Sequence, residues 1–96
     1  MSDFELVDEG EGRFAIRGDM SFATADRILK ASLAMFGQHE SLEVDMSQVS
    51  KADSAGLALL LEWKARAAAR DADIRYAEVP ASLVAIAKTS EVSEFL

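Results

Sequence analysis

Ninety-six residues, half of them apolar, suffice for one domain whose core needs no covalent staple. A formal net charge of −7 without a basic stripe argues against nucleic acid as a partner, because such a surface repels phosphate backbones. The lack of cysteine removes disulfides, thiolate metal sites and thiol nucleophiles, and no run approaches the ~20 apolar residues of a membrane span.

The acidic start, MSDFELVDEGEG, lacks the basic and apolar stretches of an export signal, so a soluble cytoplasmic chain is expected. FELV (4–7) alternates, and the DEGEG that follows suits a hairpin turn. RFAIRG (13–18) alternates again, with Phe14 and Ile16 on one face and Arg13, Ala15 and Arg17 on a wet one. The spacing then turns helical over 21–36. Phe22, Ala25, Ile28, Leu29, Ser32, Leu33 and Phe36 share a side, with Ser21 as the cap and Gly37 as the stop.

SLEVDM (41–46) reads as a strand with Leu42, Val44 and Met46 pointing one way, and SQVSKAD as a connection. A second helix covers 54–70, and DADIRYAEV holds a strand with Ile74 and Tyr76 on one face. Pro80 opens a third helix, since its missing N–H is not needed in the first turn. Val92, Phe95 and Leu96 of the tail are expected to cover the core's edge. The resulting order, β-β-α-β-α-β-α, is an α/β layer with helices over a mixed sheet, spanning 1–96 as one domain.

DSAG (53–56) stands directly before the second helix. Asp53 or Ser54 can accept hydrogen bonds from the orphan N–H groups of its first turn, and Asp53 favours the positive end of the helix dipole. Gly56 lets that turn lie close to a strand or a partner. At about 100° per residue, Leu57, Leu60, Leu61 and Ala68 form the expected core face, with Lys64 snorkelling from it. Glu62, Arg66 and Arg70 lie opposite, with Leu59 among them and Trp63 on their flank. Large apolar groups within a charged rim are what a protein-binding surface presents, so Leu59, Glu62, Trp63 and Arg66 are expected to meet a partner. The alternative places Trp63 against the first helix or the tail and leaves Leu59 as a harmless exposed leucine.

Catalytic chemistry is not legible. His39 is the lone histidine, in a loop where solvation is the usual fate, and neither a second His nor a Cys joins it for a metal. No serine sits on a strained nucleophile turn, and neither Gly-rich phosphate motif occurs. No cofactor is expected.

The order of elements, AIRGDMSFATA near the start and LEVDMSQVSKADSAGLALLLEW in the middle resemble the STAS domain over essentially the whole chain. Its most specific part is the strand followed by D-S-A-G-L and a helix, which looks like the MlaB branch. In the branch of anti-sigma factor antagonists, a Ser or Thr immediately before the glycine is phosphorylated by a partner kinase. Here that position is Ala55, which has no hydroxyl; Ser54, one place upstream, is the candidate phosphorylation site that remains. The resemblance implies a non-catalytic, cytoplasmic subunit, peripheral at the inner membrane. It would bind and stabilise or regulate the MlaF-like ATPase of an ABC transporter that moves phospholipid and maintains outer-membrane lipid asymmetry. Contact would be made through Asp53, Ser54, Ala55 and Gly56 and continue along the helix. An anti-sigma factor antagonist is the alternative it carries.

Overall fold

The alternating segments at the N-terminus do form a hairpin. β1 (Phe4–Gly10) runs antiparallel to β2 (Arg13–Met20), with Leu6 opposite Ile16 and a bulge between Asp8 and Gly10. The computed structural model describes residues 3–96, and the chain continues through α1 (Ala25–Phe36), β3 (Ser41–Ala52), α2 (Ser54–Ala69), β4 (Asp73–Ala77), α3 (Ala81–Thr89) and a 3₁₀ turn (Ser93–Phe95). β3 lies parallel to both β2 and β4, giving a mixed sheet in the order β1-β2-β3-β4. This is the expected α/β architecture.

Period-two patterning decides which face of the sheet is covered. Phe14, Ile16, Leu42, Val44, Met46 and Ile74 point into the core, where they meet Ile28 and Phe36 of α1, Leu57 and Leu60 of α2, and Leu83 of α3. The opposite face carries ion pairs in the open: Arg17 lies 3.7 Å from Glu5, and Arg75 lies 3.9 Å from Glu43. Ala15 departs from its expected wet environment. It is small enough to vanish between its neighbours on that face and is buried.

β3 extends well beyond the expected 41–46, taking in SQVSKA, which was read as a connection. Its pairing with β2 slips twice. Ala15 and Arg17 face Asp45 and Gln48, while Gly18 and Asp19 face Val49 and Lys51, so each slip places an extra residue in β3. Such bulges break strict alternation while the strand continues.

α1 begins later than its spacing suggests. The carbonyl of Ser21 accepts from the N–H groups of Thr24 (3.0 Å) and Ala25 (2.8 Å), while the Thr24 hydroxyl accepts from Ser21 N–H (3.0 Å) and donates to the carbonyl of Asp19 (2.9 Å). Residues 21–24 therefore close a turn of their own, and Thr24, not Ser21, holds the N-cap position. Phe22, expected in the core, is thrown outward with 88% of its surface exposed. Elsewhere the tail divides: Val92 and Leu96 pack on the core, whereas Phe95 stays exposed. His39 is half-buried, edge-on to Phe14 with ring centroids 5.7 Å apart, instead of solvated. Lys64, expected to snorkel, is half-buried, its Nζ donating to the carbonyl of Ile74 and lying 5.2 Å from the centroid of Tyr76.

Candidate functional site

Because β2 and β3 are parallel, they finish together: Met20 pairs with Ala52, so the loops leaving the two strands are neighbours. Asp53 joins them. Its Oδ1 accepts from the N–H groups of Ala55 (2.9 Å) and Gly56 (3.4 Å), and its Oδ2 accepts from Phe22 N–H (3.1 Å). One carboxylate thus caps α2 and fixes the turn that precedes α1. The Phe22 N–H is the main influence holding its carboxyl below the ordinary carboxylate range. The two capping N–H groups and the charge of Lys51 act the same way against a partial desolvation.

Gly56 sets how closely helix and sheet meet. A Cβ at that position would lie 2.5 Å from the carbonyl oxygen of Met20, a distance that backbone cannot yield. The first turn of α2 therefore rests directly on the end of β2. Ser54 and Ala58 face outward from it, Ala55 is half-buried, and one turn further Glu62 and Arg66 form an exposed pair at 2.7 Å. Phe22 stands on the loop that shares Asp53. The sequence pattern missed it as a surface residue because its spacing matched the core side of α1. The legible sign was SFAT itself, in which hydroxyls three apart close a local turn.

Of the residues expected on the partner-facing side of α2, the structure moves two inward. Leu59 is 4% exposed and Trp63 is 3% exposed. The Trp63 indole N–H donates to Ser32 Oγ at 2.8 Å, and its ring packs against Phe36 at 5.1 Å and Tyr76 at 6.3 Å. The reason is that α2 is packed by the sheet below and by both α1 and α3, so its buried sector is wider than one stripe. That sector comprises Gly56, Leu57, Leu59, Leu60, Trp63 and Ala67, while Leu61 and Ala68, expected inside, face outward in part or fully. Asp53, Ser54, Ala55, Glu62 and Arg66 remain at or beside the accessible face, while Gly56, also expected at the partner, is buried against the end of β2.

The Asp53 carboxylate is committed to three N–H groups, and His39 precedes the first residue of β3 while Ser54 follows its last, so the length of a 12-residue strand separates them. Among the described residues no cluster of His, Cys, Asp and Glu is placed to hold a metal ion, and no helix is long and apolar enough to cross a membrane.

A family model described as "Mlab, STAS domain" matches residues 7–96. No curated protein sequence matches the chain. Among solved structures, the anti-sigma factor antagonist SpoIIAA in its unphosphorylated form superposes with a TM-score of 0.69 at 19% identity, over 96% of this chain and 84% of that one. The Bacillus cell fate determinant SpoIIAA in the phosphorylated form gives 0.65 at 16% identity, over 96% and 86%. A structure of Mglu gives 0.60 at 22% identity, over 80% of this chain but 19% of that much longer one. At these identities the likeness is one of fold.

Proposed function

From a chain that belongs to the STAS domain family, as its match over residues 7–96 shows, we propose a non-catalytic subunit of a phospholipid-transporting ABC system. It binds the system's cytoplasmic ATPase, stabilising or regulating it, and so reaches the inner membrane through that partner. The observation that carries this reading is the MlaB-type family match together with Ala55, which offers no hydroxyl where the antagonist branch is phosphorylated. The fold it shares with SpoIIAA serves either branch equally.

The contact surface begins at the first turn of α2. Ser54 and Ala58 are small and exposed, so a partner's backbone can come close, and the Glu62–Arg66 pair supplies a polar rim. Phe22 adds a large apolar group that projects beside them, the kind of side chain that dominates binding energy when a pocket receives it. Leu59 and Trp63 act from beneath, holding the surface in place.

Co-expression with the ATPase of the phospholipid transporter from the same genome tests this. The two proteins are expected to co-purify, and Ala58→Asp is expected to abolish the complex while the melting temperature of the free domain stays within a few degrees. A wild-type chain that ignores the ATPase and instead forms a stable complex with an anti-sigma kinase would overturn the reading. A complex unaffected by Ala58→Asp would overturn the surface.

A further inference from the structure

Away from that end, the second halves of α1 and α2 leave a groove of about 330 Å³ between them. Its floor is apolar: Phe36, Leu42, Trp63 and Ile74, with Leu33 as one wall. Its polar part is cationic, made by the exposed Arg66 and Arg70. In a chain with 17 acids and 10 bases, a pair of arginines beside an apolar hollow runs against the overall charge.

Arg70 is the more telling of the two. Its Nη2 donates to the carbonyls of Phe36 (2.8 Å) and His39 (2.7 Å), which fixes the guanidinium at the C-terminal end of α1. That role explains where the group sits. It does not supply a counter-ion: among the described residues no carboxylate lies within ion-pair distance of Arg70, whereas Arg66 is held by Glu62 at 2.7 Å. Both hydrogens of Nη2 are thus committed, while the Nε and Nη1 N–H groups of Arg70 make no hydrogen bond among the described residues.

We propose that this groove binds a single-chain anionic amphiphile, a carboxylate of medium chain length. The apolar chain lies along Leu33 and the edges of Phe36 and Trp63, and the carboxylate accepts a charge-assisted hydrogen bond from the uncommitted Nη1 of Arg70. At about 30 Å³ per non-hydrogen atom, the share a water occupies in its liquid, the volume accepts on the order of ten atoms, which is the size of octanoate. The volume lies at the low end of small-molecule sites, and the mixture of an apolar lining with few polar groups is typical of them.

Trp63 is the chain's only tryptophan and lines the groove, so its emission reports occupancy directly. The purified chain is titrated with sodium octanoate below its micelle threshold, with 1-octanol as the uncharged analogue of equal length. Octanoate is expected to change the emission saturably. Octanol and the Arg70→Gln variant are each expected to weaken binding about tenfold or more, the scale of a lost charge-assisted hydrogen bond. Leu33→Glu, at a wall position 43% exposed and so tolerant of the change, is expected to abolish it. Octanol binding as tightly as octanoate overturns the proposal. So does the absence of a saturable response both in emission and in ligand-observed NMR, or binding by Arg70→Gln and Leu33→Glu that equals the wild type.

Discussion

A carboxylate that accepts three backbone N–H groups gives up its affinity for a proton, and Asp53 is so placed. Its folded pKa lies below the ordinary value. The stability it contributes is therefore complete above about pH 4, where an unfolded aspartate is ionised, and is lost as pH falls through the depressed folded value. Asp53→Asn keeps the shape and one acceptor oxygen, but its amide nitrogen cannot accept from the second loop. The variant is expected to lose about 1 kcal/mol at neutral pH, the usual scale of a cap. Urea unfolding at pH 7 and at about pH 3 should show the gap between the two proteins closing in acid. A gap that widens there would mean that the carboxylate is not what holds the two loops.

Between elements, α1 and α2 are joined by the Trp63–Ser32 hydrogen bond, buried and 2.8 Å long. Ser32→Ala leaves the indole N–H without an acceptor in the core, at a cost of about 1–3 kcal/mol. Trp63→Phe in the same background removes the orphaned donor, so in a double-mutant cycle the two changes should cost less together than separately. Additive losses in chemical denaturation would show that the bond does not matter. This join also marks what the sequence could reveal. Strands with strict alternation, the Asp53 cap and the Pro80 start were legible because neighbours in the chain decide them. The faces of α2 were not, since Leu59 and Trp63 are drawn inside by α1, which stands 31 residues away at Ser32. The continuation of β3 was hidden by its two bulges, and the exposure of Phe22 by a turn whose spacing mimics a helix.

On the scale of the whole molecule, apolar burial is concentrated on one side of the sheet, and the other side bears exposed ion pairs within a chain of net charge −7. Exposed pairs of this kind contribute about 0–1 kcal/mol each, while excess negative charge repels itself throughout. Screening should therefore help more than it harms. Raising the salt from about 0.01 M to 1 M, which shortens the Debye length from about 30 to 3 Å, is expected to hold or raise the melting temperature. A marked drop in calorimetry would assign real stability to the ionic face. The shared aspartate has a further mechanical meaning. With one side chain clasping the loop of Phe22 and the start of α2, neither can shift without straining the other. A force applied to the aromatic knob is therefore passed on to the first turn of the helix, and the two would move as a single stiff lever.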